Sequence, residues 1–195
     1  MIIHISGFPG SGKTTLGEKL QKMFGSKVIV YDTDLFIQHN NNNGKKLLKI
    51  EREMKTGKKT QKDYTSLWKN IIKKSIDDFV KNHSNKPIIF VGSLDNFAPH
   101  NLIYKIKADH KIVLDVSLNE IMKRYYLRIY KTEQSVTKKQ SDDYWKKLSN
   151  GIYNILSSND IIKDYTKYMT WHNKNDYVSL TDTKIIKKLK KIFNS

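Results

Sequence analysis

The stretch ISGFPGSGKTTL, Ile5 to Leu16, constrains this chain more than any other. Gly7, Gly12, Lys13 and Thr14 stand at the spacing G-x-x-x-x-G-K-[ST], between an apolar run and a helix-forming segment. Gly7, Gly10 and Gly12 permit backbone torsions that a side chain would block. Successive amide N–H groups, with Pro9 and Ser11 completing the turn, can then line one concavity suited to an anion. A helix starting at Gly12 adds the partial positive charge of its first turn. Lys13 adds a full charge, worth about 4 kcal/mol to a phosphate at about 4 Å and an effective dielectric near 20, before desolvation. Thr14 offers a hydroxyl to magnesium and Thr15 one to a neighbouring phosphate. A turn that merely joined strand to helix would not need Lys-Thr at this spacing, so the segment reads as a phosphate cradle.

The remaining pattern alternates strands with helices. MIIHIS is a buried strand, and the helix after it carries Leu16, Leu20 and Met23 or Phe24 at helical spacing. KVIVYD is a second strand ending at Asp32, KPIIFVG a third that is apolar on both faces, HKIVLDV a fourth and NDYVSL a fifth. HNNNNGKK reads as a polar loop unable to bury surface, and Lys45 to Lys59 as a short, mobile helical piece. Thr60 with Asp63 caps a long helix whose stripe runs from Tyr64 and Trp68 to Phe79 and Val80. Ser117 and Glu120 form a capping box for NEIMKRYYLRIY, QSVTKKQSDDYWKKL is polar and then helical, and KIIKKLKKIF closes the chain as a basic amphipathic helix. Such alternation predicts an α/β fold, a parallel sheet covered on both faces. Ligands on these sheets sit beyond the carboxyl ends of the strands, where Gly7, Asp32, Gly92 and the Asp115–Ser117 corner fall. With no repeat and no linker, residues 1–195 read as one domain.

The chain carries 36 Lys+Arg against 19 Asp+Glu, a formal net charge of +17, which attracts polyanions, nucleic acid among them. Lysines scattered among asparagine and isoleucine equally fit a coding bias toward A and T. Zero cysteines exclude a disulfide scaffold and a thiolate metal site, and the six histidines show no metal-ligand spacing. No apolar run is long enough for a bilayer span and no secretory signal precedes the first motif, so a cytoplasmic location and no membrane partner are expected.

GFPGSGKTT resembles the P-loop of the small nucleoside monophosphate, shikimate and related kinases. The resemblance implies a three-layer P-loop NTPase fold with a five-stranded parallel sheet and a mobile lid. It also implies ATP with Mg²⁺ and phosphoryl transfer to a small acceptor. Asp32 and Asp34 in YDTDLF are two apart, so on extended backbone both carboxylates face one way. A similar Asp-x-Asp in shikimate kinases implies Asp32 in the metal shell and Asp34 toward the acceptor. The alternative is that Asp34 caps a helix beginning at Leu35. The glycine triplet that shikimate kinases carry after the third strand is replaced here by VGSLDNF, and the Asp-Gly-Phe-Pro-Arg run of adenylate kinases is also missing. Asp95 in that loop is a candidate metal or acceptor ligand, or a turn residue.

Phosphoryl transfer also needs cations over the migrating group. Arg124 and Arg128, four apart, share one helical face and lead into a lid at about 129–142, or else are two solvated arginines. Arg52 lies in the stretch 35–60 that would grip the acceptor. Thr181, with Asp182, stands where related kinases contact adenine, although Asp182 or Thr183 also suits a helix cap. Trp171 and His172 suggest a base-stacking pair or, more plainly, core packing. The leading reading is a kinase that transfers the γ-phosphate of Mg·ATP to a nucleoside, nucleotide or other small acceptor. A polynucleotide 5′-hydroxyl kinase and a nucleotide-binding regulator or slow ATPase are the alternatives. The acceptor and the oligomeric state are not written in the sequence.

Overall fold

A computed structural model describes residues 1–38, 41–93, 95–96, 102–103, 106–124 and 159–194. Its strands are β1 (Ile2–Ser6), β2 (Ile29–Asp32), β3 (Ile88–Val91), β4 (Asp95–Asn96), β5 (Leu102–Ile103), β6 (His110–Leu114) and β7 (Val178–Leu180). Its long helices are α1 (Lys13–Phe24), α2 (Asn42–Lys55), α3 (Gln61–Asn82), α4 (Asn159–Lys174) and α5 (Asp182–Asn194). Five strands form one parallel sheet in the order β2-β3-β1-β6-β7, while β4 and β5 pair antiparallel by themselves. The expected α/β fold is the observed one. Arg128, the lid at 129–142 and QSVTKKQSDDYWKKL lie outside the described residues. No helix among the described residues is long and apolar enough to cross a membrane.

The chain divides into two compact units, Met1–Ser6 with Lys13–Ile112, and Gly7–Gly12 with Val113–Ser195. In the first, β3 is flanked by β1 and β2 in parallel register, Ile5 and Asp32 both standing opposite Val91. All four β3 residues are buried, as an interior parallel strand requires. Helix α1 buries Leu16, Leu20 and Phe24, whereas Met23 is 39% exposed, so Phe24 completes the stripe.

The asparagine-rich segment departs from expectation. Residues 42–55 form a regular helix that buries Leu47 and Ile50 in the core. Asn41 Oδ1 accepts the Gly44 N–H at 2.7 Å, and Asn43 Nδ2 donates to the Phe36 carbonyl at 3.1 Å. Asparagine is a poor interior helix former but a strong cap, and one cap suffices to start a helix whose later turns bury apolar residues.

Helix α3 begins as expected, with a reciprocal capping box: Thr60 N–H donates to Asp63 Oδ2 at 2.8 Å and Asp63 N–H to Thr60 Oγ1 at 3.3 Å. Its stripe, led by Trp68, Ile72 and Ile76, packs with Phe36 and Phe90 into one core. Tyr64, 4% exposed, has its hydroxyl pKa pushed up to about 12, first by burial and then by the charge and hydrogen bond of Glu51. A pKa raised above the unfolded value of 10.0 means that stability is complete below pH 10 and falls as pH climbs toward about 12. Tyr64→Phe is therefore expected to remove that part of the alkaline loss, read as the difference between the two proteins' urea midpoints across this window.

In the second unit, Ser117 Oγ accepts the Glu120 N–H at 3.3 Å and starts a helix at 118–124. Helix α4 is an element not assigned from the sequence. His172 on it is 1% exposed, its Nδ1 hydrogen-bonded to the Tyr168 carbonyl at 2.8 Å and its ring stacked on Tyr168 at 4.1 Å. The Trp171–His172 pair thus belongs to the packing of this unit.

Candidate active site

The glycine loop has the torsions its composition demands. Gly10 and Gly12 lie at φ 80° and 96°, in the region that side chains disfavour. Ser11 N–H donates to the Phe8 carbonyl at 3.0 Å, closing the turn over Pro9 and Gly10. Phe8 is gripped edge-on by Tyr165 and Tyr168 of α4, each with ring centroids 5.4 Å away. The Tyr165 hydroxyl is in turn tied to the Val116 carbonyl at 3.0 Å. Burial first, and the Asp115 charge second, raise that phenol's pKa. These anchors were missed in the sequence, although Ile161, Tyr165, Tyr168 and His172 recur at helical spacing and could have been found by it.

Arg124 reaches the same loop. Its Nη1 donates to the Ser11 carbonyl and its Nε to Glu120 Oε1 at 2.9 Å. A Cβ at Gly12 would stand 3.0 Å from Arg124 Nη1, so the glycine also clears space for the guanidinium. Ser11 Oγ is buried and makes no hydrogen bond. An orphaned hydroxyl inside an amide-lined turn costs about 1–3 kcal/mol, a cost a bound anion would relieve.

Helix α1 opens at Lys13 with no acidic residue in its first turn, so nothing there competes with an anion for its amides. Thr15 is exposed in that turn. Thr14 Oγ1 donates to Asp32 Oδ2 at 3.2 Å, and Asp32 Oδ1 accepts the Asp34 N–H at 3.0 Å. Asp32, not Asp34, is therefore the capping residue, and it caps a 3₁₀ turn at Thr33–Ile37. The two carboxylates are brought together by this turn, not by the pleat of an extended strand, because β2 ends at Asp32. Asp34 is an exposed residue, yet its carboxyl pKa is raised, chiefly by desolvation, then by the Asp32 charge, with Lys13 opposing. Behind the turn, Tyr31 packs on Phe79 at 4.2 Å and on Phe36 at 4.8 Å, and Phe36 on Phe90 at 6.2 Å.

Other candidates are placed differently. The Asp95 backbone pairs with Ile103 in the β4–β5 ribbon, and its side chain lies outside the described residues. Arg52 is exposed in the last turn of α2. Thr181 directly precedes α5, its carbonyl accepting the Ile185 N–H at 2.9 Å and its hydroxyl lying 3.4 Å from that of Thr183. It takes the cap position that the sequence suggested for Asp182 or Thr183.

A family model described as AAA domain matches residues 6–145, well over half of the chain. The chain belongs to the AAA domain family. The P-loop, kinase-like character of this family agrees with the resemblance carried by GFPGSGKTT. No curated protein matches this AAA domain in sequence. Among solved structures, a shikimate kinase from Bacteroides thetaiotaomicron is similar at 16% identity and a TM-score of 0.43, covering 100% of this chain and 99% of its own. A deoxyadenosine kinase from M. mycoides with bound dCTP is similar at 17% identity and 0.43, covering 98% and 100%. A thymidylate kinase from Ehrlichia chaffeensis follows at 16% and 0.30, covering 69% and 87%. Likeness at this level says nothing about which acceptor this AAA domain takes.

Proposed function

We propose that this chain is a phosphotransferase that moves the γ-phosphoryl group of Mg·ATP to the hydroxyl of a small metabolite, a nucleoside before a nucleotide. The observation that carries the reading is the Thr14 Oγ1–Asp32 Oδ2 hydrogen bond at 3.2 Å, which sets the turn bearing Asp32 and Asp34 against the first turn of α1. Asp34, its carboxyl pKa raised by desolvation and then by Asp32, with Lys13 opposing, is the base candidate on that turn. A general base works best when its pKa approaches the operating pH. A hydroxyl acceptor must lose a proton as it attacks, whereas a phosphate acceptor is already ionised, so a carboxylate placed beside the loop has a proton to take only from a hydroxyl. Asp34 takes that proton. The loop amides and Lys13 orient the terminal phosphates, and Arg124, already seated on the Ser11 carbonyl, supplies a second cation. The lid at 129–142 would exclude water during transfer and Arg128 would add a further cation, with Arg52 and the 35–60 stretch on the acceptor side and Thr181 near adenine.

Magnesium takes oxygen ligands and binds largely through substrate phosphates and water. The Thr14 hydroxyl and the Asp32 carboxylate, 3.2 Å apart, are suitable oxygens, and the crowding of negative charge at Asp32 and Asp34 is the kind a divalent cation relieves. Bound there, the ion would neutralise charge on the transferring phosphates. The remaining ligands would come from the nucleotide's phosphates and water.

The test is an ATP-consumption screen against nucleosides, nucleotides, sugars, shikimate-like acids and 5′-hydroxyl oligonucleotides. Strong stimulation by a small hydroxyl compound is expected. ATP turnover indifferent to every acceptor would instead support a regulator or slow ATPase. Label on a strand's 5′ end, with affinity falling steeply in salt, would make it a polynucleotide kinase.

A further inference from the structure

We propose that Gly92 is a positioning residue for this site: lacking a side chain, it lets Thr33 seat against the end of β3 and so fixes where Asp32 and Asp34 stand. The inference rests on the phosphotransferase reading for its functional consequence, but the seat itself is geometric. Gly92 is tied to β1 through both backbone groups. Its N–H donates to the Ile5 carbonyl at 3.1 Å, and its carbonyl accepts from Nε2 of His4, 1% exposed, at 3.1 Å. It sits at φ 144°, which an L side chain rarely adopts.

A Cβ built there would overlap Thr33 Oγ1 and stand 3.2 Å from Thr33 Cβ and 3.3 Å from Thr33 N. Thr33 is 2% exposed, and its hydroxyl makes no hydrogen bond. Thr33 therefore contributes shape: a branched side chain filling the space that Gly92 leaves. It stands between Asp32, whose oxygens hold the Thr14 hydroxyl and the Asp34 N–H, and Asp34 itself. Any side chain at 92 pushes on that turn and carries both carboxylates with it.

In the Gly92→Ala protein kcat is expected to fall about 10²-fold, the cost of roughly 1 Å of misplacement. ATP affinity by calorimetry without magnesium should stay near wild type, because the loop residues themselves are untouched. Thr33→Val keeps the shape and removes the orphaned hydroxyl, so wild-type kcat and a raised Tm are expected. Thr33→Ala empties the seat and should lower kcat, and Gly92→Ala with Thr33→Ala should recover part of the loss of Gly92→Ala. Wild-type kcat in Gly92→Ala, or a loss in Thr33→Val equal to that in Thr33→Ala, would overturn the proposal. If Gly92→Ala does not fold, the Thr33 pair decides alone. Should the wild-type protein phosphorylate no acceptor, the phosphotransferase reading fails first. The seat is then read from Tm: non-additive shifts for the 33 and 92 changes support it, and additive ones refute it.

Discussion

Replacing Lys13 with alanine is expected to leave the fold intact and lower kcat by roughly 10²–10³-fold, the usual effect of deleting one preorganised charge from a phosphoryl or oxyanion site. The residue opens α1 and is partly exposed, so its loss removes little packing. The electrostatic consequence extends to Asp34, whose carboxyl Lys13 holds down against burial and Asp32. Without that cation the Asp34 pKa rises further, so the acidic limb of the pH–rate profile should move to higher pH. Single-turnover assays across pH, with circular dichroism to verify folding, measure both effects. Full turnover in the variant would place the terminal phosphates somewhere other than the glycine loop.

Asp34→Asn should be the second large loss, about 10²–10⁴-fold in kcat if the carboxylate is the proton acceptor. It carries an opposite expectation for stability. Because the folded-state pKa is raised, the folded protein holds the Asp34 proton more tightly than the unfolded chain does. The favourable contribution is complete below the ordinary carboxylate pKa and is lost as pH rises through the raised value. At neutral pH, without nucleotide or magnesium, ionised Asp34 is a burden that asparagine does not carry. The variant should therefore melt higher than wild type at pH 7, and the difference should vanish in acid. A dead but more stable protein is the signature of a group held for chemistry. A dead and less stable one would mean that Asp34 is structural.

Much of this was legible because the signals were local. Gly10 and Gly12 specify a backbone path through torsions that only glycine adopts easily, and Thr60 with Asp63 specify a helix start by two reciprocal hydrogen bonds. The buried β3 run and the stripe of α3 follow from their periods. What escaped was non-local. Asn41 to Asn43 look like loop until Leu47 and Ile50 find the core, and the composition of the segment hides that burial. Extended backbone predicts that Asp32 and Asp34 face one way, but a 3₁₀ turn brings them together, since the capping bond of Asp32 ends the strand first. Neither the grip of Tyr165 and Tyr168 on Phe8 nor the fit of Thr33 against Gly92 can be read from neighbours in sequence.

The rings of Tyr31, Phe36, Phe79 and Phe90 give the carboxylate turn a stiff mount, clamped from the residue before Asp32 and from two beyond Asp34. On the proposed function, dipoles on such a mount would lack solvent-like freedom to reorient, so the field they exert on a substrate would be set on arrival and need not be rebuilt during each turnover. Softening the mount from behind, far from any reacting atom, would then show up as a larger reorganisation barrier while substrate affinity stayed the same.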